Sequence, residues 1–153
     1  MRHWLMKSEP NDYSIDDLER DGTTHWDGVR NYQARNLMRD QMSVGDAVLF
    51  YHSQLRPPGV VGLAEVVRDA YPDHTAWDPD SKYFDPKSSP EDPRWFMVDI
   101  AFVRKFNRMV TIDEMRERPE LEDMVLLKRS RLSVQPVTPQ EFEVIVAMAE
   151  GRE

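Results

Sequence analysis

The chain has 153 residues, no cysteine, and 20 Lys and Arg against 28 Asp and Glu, which gives a formal net charge of −8. This length predicts one domain spanning residues 1–153, and the lack of cysteine excludes disulfide frameworks, Cys-ligated zinc and thiol nucleophiles. The apolar runs are too short for a signal peptide or a membrane helix, so we expect a soluble protein that is cytoplasmic, or nuclear in a eukaryote. Taken as a whole, the acidic balance argues against a nucleic-acid partner.

Short strands and helices alternate in the pattern of the first half of the chain. Ser14 with Asp17, and further on Asn31, are residue types that cap helices, so we expect one helix from Ser14 to about residue 21 and another from Asn31 to about residue 39. Compact apolar runs predict three strands, of which the second and third form a hairpin: 3–6, 47–52 and 60–67.

Residues 71–94 form a long segment with five prolines and many aspartates, a composition that sustains neither a helix nor a central strand. A solvated linker has little use for aromatic side chains, yet this segment carries four. We therefore expect an ordered loop that folds over the body of the protein. The four aromatic residues are Tyr71, Trp77, Tyr83 and Phe84.

The remainder of the chain predicts an alternating strand over 95–106, a short helix capped by Thr111, a strand over 131–137 and a final helix from Thr138 to about residue 149. In total we expect about five or six strands with four short helices. This order is typical of an α+β domain built on a small β-barrel or a strongly curved sheet.

Residue patterns that mark metal centres and catalytic sites are missing from the sequence. The four histidines are never spaced as a helical metal pair. The acidic run around Asp78 and Asp80 lacks the glycine and the closing glutamate of a calcium loop, and neither Ser53 nor Ser133 lies in a nucleophile elbow. We therefore predict no metal and no cofactor.

Positive charge is concentrated in four short segments, so the rest of the chain is more acidic than the total suggests. A basic face on an acidic protein is possible if the fold brings these segments together. The alternative is that each segment is only a solvated edge. The segments are 1–10, 28–40, 103–108 and 126–136.

Residues 26–32 combine a tryptophan, an arginine, an amide and a tyrosine within seven positions. An unpaired base needs an aromatic face on which to stack and amide or backbone groups that read its edge, so this composition suits a base-binding site. The alternative is that Trp26 and Tyr32 are core residues that anchor a loop.

Several motifs, spread in order over nearly the whole chain, closely resemble those of the EVE domain family. They include Trp-Leu-Met-Lys-Ser-Glu-Pro at 4–10, Trp-Asp-Gly-Val-Arg-Asn-Tyr-Gln-Ala-Arg-Asn at 26–36 and Phe-Tyr-His-Ser at 50–53, with further matches at 62–66, 85–88, 93–95 and 130–137. The resemblance implies a fold of the PUA-like superfamily, a small curved barrel with peripheral short helices. It also implies a non-enzymatic role in binding modified bases in DNA or RNA.

The family is similar in turn to the YTH domain, which holds a methylated adenine in an aromatic cage. By this likeness Trp26 is one wall of a cage and Trp77 a candidate second wall. The expected base-pocket residues are Ser8, Trp26, Asn31, Tyr32, Tyr51, Ser53 and Trp77. The expected phosphate-binding residues are Lys7, Arg30, Arg35, Lys128, Arg129 and Arg131.

Two other functions stay open on the sequence. The same concavity suits an enzyme or a protein that binds small molecules or nucleosides, because a fold does not fix a function. The acidic surface around residues 65–93 also suits a protein-interaction module. We expect a monomer with no membrane partner, and the sequence does not choose between DNA and RNA.

Overall fold

The computed structural model describes residues 1–128 and 131–151. Six strands and five α-helices follow one another along this part of the chain, with short 3-10 turns at His74–Trp77 and Pro119–Leu121. Their bounds are β1 His3–Ser8, α1 Ile15–Asp21, β2 Thr23–His25, α2 Tyr32–Asp40, β3 Ala47–His52, β4 Gly59–Pro72, β5 Phe96–Thr111, α3 Ile112–Arg116, α4 Val125–Lys128, β6 Val134–Val137 and α5 Pro139–Glu150.

The strands form one mixed sheet in the order β2-β5-β4-β3-β1-β6. β1 and β3 are parallel and every other neighbouring pair is antiparallel. The α+β class is therefore confirmed. The sheet is not closed, because β2 and β6 lie at opposite edges, so the expected barrel is an open sheet. Register shifts along the β4–β5 pair mark bulges, which bend strands locally.

Both faces of the central strands are buried. Trp4, Met6 and Phe50 belong to one apolar cluster with α1 and α2, whereas the alternate residues Leu5 and Leu49 belong to a second cluster with α3 and α5. Because side chains alternate along a strand, each strand supplies both clusters. The two cores explain why β1 and β3 are nearly continuous apolar runs in the sequence.

The predicted helix caps are confirmed. Ser14, Thr111 and Thr138 each form a capping box with the acid three residues later, and the side chain of Asn31 accepts a hydrogen bond from the backbone N–H of Ala34. None of the helices within 1–128 and 131–151 is long and apolar enough to cross a membrane.

A buried carboxylate fastens β1 to the turn before β3. Asp46 is 3 % exposed and accepts hydrogen bonds from the Trp4 indole at 2.9 Å, the Ser43 backbone N–H at 2.9 Å and the Arg2 backbone N–H at 3.0 Å. Burial opposes ionisation, but these donors outweigh it and hold the pKa of Asp46 below its usual range. The ionised form therefore stabilises the fold.

We expect Asp46→Ala to lower the free energy of unfolding by about 3 kcal/mol, because three donors, one of them a buried indole, lose their acceptor. Asp69→Ala is the matched control, since Asp69 is exposed and accepts one hydrogen bond, from the Val44 backbone at 2.9 Å. Its cost should stay below about 1 kcal/mol. Urea denaturation measures both, and equal losses would contradict the role given to Asp46.

Candidate functional site

A cavity of about 500 Å³ lies where β1 and β2 end and where the long β4–β5 loop folds back against them. This volume falls within the range of about 300–1,000 Å³ that is typical of small-molecule sites, and it suffices for one nucleobase. The cavity is lined by residues 7–9, 12–13, 24–30, 82–83 and 133.

Trp26 forms one wall of the cavity and is anchored in the core beneath it. Its backbone N–H donates to the Val98 carbonyl at 2.8 Å, and its ring meets Phe50 edge to face, with ring centroids 5.6 Å apart. Only 9 % of the residue is exposed. Trp26 is therefore a core residue that also lines the cavity, and its role in base binding stays a prediction.

Tyr83 contributes a second aromatic ring, and its position depends on Gly28. A Cβ atom added to Gly28 would overlap the Tyr83 ring, and Gly28 has a φ of +78°, which other residues rarely adopt. The ring therefore lies directly against the glycine backbone. The sequence marked Tyr83 as an aromatic residue of an ordered loop but gave no sign that it faces this cavity.

Asp73 is a buried carboxylate that joins the two sides of the cavity. Its side chain has no exposed surface and accepts hydrogen bonds from the Gly28 backbone at 2.9 Å, from Arg30 Nη1 at 3.1 Å and from the backbone and hydroxyl of Thr75 at 2.9 and 2.6 Å. Burial alone would raise the pKa of Asp73, but these donors hold it below its usual range. The carboxylate is therefore ionised and paired.

Arg30 completes this link from the other side. Its guanidinium donates to the Tyr83 carbonyl at 2.7 and 3.1 Å, to the Val29 carbonyl at 3.1 Å, to Asp73 and to the Thr75 hydroxyl at 3.4 Å. These contacts use all five N–H donors of an arginine. Arg30 lines the cavity and its donors hold the loops together, while its expected role in phosphate binding stays a prediction.

Asp27 is a carboxylate that lines the cavity, and sequence reasoning did not single it out. Burial, together with the charge of Asp73, raises the pKa of Asp27 above its usual value. The nearest cation-forming group is His25, whose Nε2 lies 3.7 Å from a carboxylate oxygen. Asp27 is half-buried and faces the cavity beside Trp26.

Of the seven expected base-pocket residues, Ser8 and Trp26 line the cavity, and the Ser8 hydroxyl donates to the Tyr13 carbonyl. The other five lie outside its lining. Tyr51 is buried in the second core, where burial raises the pKa of its hydroxyl, and the Ser53 N–H donates to the Ser8 carbonyl.

Three further base-pocket candidates are engaged elsewhere. The Asn31 side chain caps α2. Tyr32 is 51 % exposed and stacks on Trp95, with ring centroids 4.8 Å apart. The Trp77 indole donates to the Ser88 hydroxyl at 3.4 Å. Roles for these residues in binding stay predictions. Trp77 lies outside the lining of the cavity, whereas Tyr13 and Tyr83 belong to it.

Among the expected phosphate-binding residues, Lys7 lines the cavity with Arg30, and burial lowers the pKa of its ammonium group. Arg35 donates to the Arg94 carbonyl and lies over the Tyr32 ring. Lys128 pairs with Asp123 at 3.0 Å and Arg131 is exposed. Arg129 lies outside the described residues.

Lys82 also lines the cavity, although the sequence did not suggest it as a binding residue. Lys82 is largely exposed, lies 5.1 Å above the Tyr83 ring centroid and is 3.6 Å from Asp12. It was missed because it belongs to the aspartate-rich loop, whose summed charge is negative. Within residues 1–128 and 131–151, no group of three or more His, Cys, Asp or Glu side chains is placed to hold a metal ion.

We expect Gly28→Ala to cost about 2–4 kcal/mol of unfolding free energy, from the positive φ and from overlap with Tyr83. Gly151→Ala is the matched control, because Gly151 has a left-handed conformation with a φ of +73° and open space around its Cβ position, and it should cost about 1 kcal/mol. In a Tyr83→Ala background the Gly28 cost should fall to the Gly151 value. Thermal denaturation of the four variants gives the comparison, and equal costs at both glycines would contradict the packing of Tyr83.

Several known proteins are similar to this chain over nearly its whole length. Human thymocyte nuclear protein 1 is 42 % identical over 167 residues, which cover 97 % of this chain and 74 % of the relative. A hypothetical protein from Leishmania major has a structure with a TM-score of 0.96 and 54 % identity, covering 99 % of this chain and 96 % of its own.

A second similar structure is that of the human THYN1 protein in complex with 5-methylcytosine containing DNA. It has a TM-score of 0.93 and 41 % identity, and the match covers 98 % of both chains. The EVE domain family model matches residues 2–148. This chain therefore belongs to the EVE domain family.

Proposed function

We propose that this protein binds nucleic acid that contains a modified base, and that the base enters the cavity between Trp26 and Tyr83. The observation that carries the proposal is the human THYN1 complex with 5-methylcytosine containing DNA, because that protein shares the fold over 98 % of the chain. By this likeness DNA with 5-methylcytosine is the first ligand to test.

The cavity suits an extruded base in both size and chemistry. The rings of Trp26 and Tyr83 supply stacking surfaces, with Tyr13 also in the lining. Bases that leave the helix are commonly stacked between such side chains and read by hydrogen bonds at their edges. Ser8, Asp27 and the backbone of residues 24–30 supply polar groups. A methyl group held in an apolar environment adds about 1–3 kcal/mol of discrimination.

The proposed role is recognition without catalysis. Two polar side chains of the cavity already hold its walls: the Ser8 hydroxyl donates to the Tyr13 carbonyl, and Arg30 donates to Asp73 and to the Tyr83 carbonyl. An enzyme or a nucleoside-binding protein remains the alternative. Tight binding of a free nucleoside with no added affinity from the polymer would favour that alternative.

The charge distribution supports weak binding to nucleic acid in general, so that the affinity depends on capture of the modified base. The net charge of −8 repels polyanions in general, whereas Lys7 and Lys82 lie at the cavity itself. Phosphates that flank an extruded base are therefore the ones that meet positive charge.

Loss of the Tyr83 ring should weaken binding of a 5-methylcytosine oligonucleotide about ten-fold or more, because stacking on one aromatic ring contributes about 1–3 kcal/mol per base. Fluorescence anisotropy of Tyr83→Ala, with matched DNA and RNA strands carrying 5-methylcytosine or cytosine, measures this. Trp26→Phe should act in the same direction. We avoid Trp26→Ala because truncating a buried tryptophan costs about 3–5 kcal/mol of stability.

Trp77→Ala is the control for both ring variants, since Trp77 is a half-buried aromatic residue of the same loop and does not line the cavity. It should bind like the unaltered protein. A loss confined to Trp77→Ala, with Tyr83→Ala unaffected, would place the base elsewhere.

Replacing Lys82 by Gln should weaken binding of modified and unmodified DNA by the same factor and reduce the slope of log K against log salt by about 1, because one phosphate contact is lost. Lys105→Gln is the control: Lys105 is also an exposed lysine paired with an aspartate, Asp16 at 2.7 Å, but does not line the cavity. A salt titration of both variants distinguishes them, and an unchanged slope for Lys82→Gln would remove Lys82 from the phosphate path.

A further inference from the structure

We propose that Asp27 accepts a hydrogen bond from the exocyclic amino group of the captured base, and so restricts the cavity to amino-bearing pyrimidines and rejects thymine. The inference rests on the proposed function. It assigns to Asp27 the discrimination between 5-methylcytosine and thymine, which stacking on aromatic rings does not provide.

The need for such a residue follows from the chemistry of the bases. 5-Methylcytosine and thymine carry the same methyl group at the same ring position, so neither stacking nor methyl burial separates them. They differ along one edge: at position 4 cytosine has an amino donor and thymine a carbonyl acceptor, and at N3 cytosine has an acceptor and thymine an N–H donor. Thymine is abundant in all DNA, and an acceptor that meets position 4 separates the two bases.

Asp27 is the carboxylate placed for this task. Three acidic residues line the cavity, but Glu9 and Asp12 are exposed, and Asp12 lies 3.6 Å from Lys82. Asp27 is half-buried and directly follows Trp26, the wall against which the base would stack. Aspartate and glutamate are the side chains that commonly accept from the cytosine amino group.

The segment that carries Asp27 is held in a fixed position. The Trp26 N–H is bound by the Val98 carbonyl at 2.8 Å and the Gly28 N–H by Asp73 at 2.9 Å, so both neighbours of Asp27 are tied to buried acceptors. A carboxylate on such a rigid segment gives direction to its hydrogen bond, which is a requirement for selecting one base edge.

The electrostatic surroundings of Asp27 favour a further hydrogen-bond donor. Burial and the nearby Asp73 raise the pKa of Asp27, and His25, at 3.7 Å, the backbone N–H of Asp27 itself and Arg30 only partly offset this effect. An amino group that enters the cavity supplies such a donor, whereas a thymine carbonyl would set an acceptor against a carboxylate.

The test compares duplexes that differ at one position, which holds 5-methylcytosine, cytosine or thymine opposite an abasic site, so that no base pair must be broken. The unaltered protein should prefer 5-methylcytosine to thymine by ten-fold or more. In Asp27→Asn this ratio should fall close to one, mainly through tighter binding of thymine, because the amide can turn its NH₂ group toward the carbonyl. Asp27→Ser should lower the ratio as well, since a hydroxyl also donates.

Asp12→Asn is the matched control, because it removes one negative charge from the lining of the same cavity and should leave the ratio unchanged. Circular dichroism checks the fold of each variant. If the ratio persists in both Asp27 variants, or changes equally in Asp12→Asn, the assignment of Asp27 is wrong. A different result would overturn the proposed function itself. The unaltered protein would bind 5-methylcytosine and cytosine duplexes with equal affinity, and Tyr83→Ala would bind them as tightly as the unaltered protein.

Discussion

The buried carboxylate of Asp73 is the contact on which the candidate site depends. It receives the Gly28 backbone and Arg30 from one side of the cavity, and Arg30 continues to the Tyr83 carbonyl on the other. Buried ion pairs are weak evidence for stability, because desolvation offsets much of their attraction. Their effect here is one of position: two irregular segments, far apart in the sequence, are held at one distance from each other, and that distance sets the width of the cavity.

Features decided by neighbours in the sequence were predictable. The caps at Ser14, Thr111 and Thr138 and the apolar runs of β1 and β3 follow from local residue types, and the structure confirms them. β2 was missed because Thr23–His25 is short and mostly exposed, so it carries no apolar alternation. The open sheet was equally hidden, because whether edge strands meet depends on the bends and register shifts of β4 and β5, not on any one run of residues.

The site was predictable in part for the same reason. The motif at 26–32 pointed to Trp26 because its residues are adjacent, but the choice between Trp77 and Tyr83 depends on a hydrogen bond across 53 positions, from Arg30 to the Tyr83 carbonyl. Arg30 itself shows the limit of charge counting. The Arg30 guanidinium, counted among the basic residues of a binding face, is paired with the buried Asp73, while the exposed Lys82, in an acidic loop, also lines the cavity. Three further expectations from the sequence stay predictions: that the chain forms a single domain, that it is a monomer, and where in the cell it lies.

The close approach of Tyr83 to Gly28 also bears on how this site can change over evolution. Any side chain at position 28 meets the ring at position 83, and the backbone there already has a positive φ. A ring at 83 in this position therefore favours glycine at 28 for two reasons, the overlap with the ring and the positive φ. With a small residue at 83 the overlap disappears and only the positive φ still favours glycine. The two positions form a coupled pair, so a lineage that alters the width of this cavity would do so by changing position 83 first.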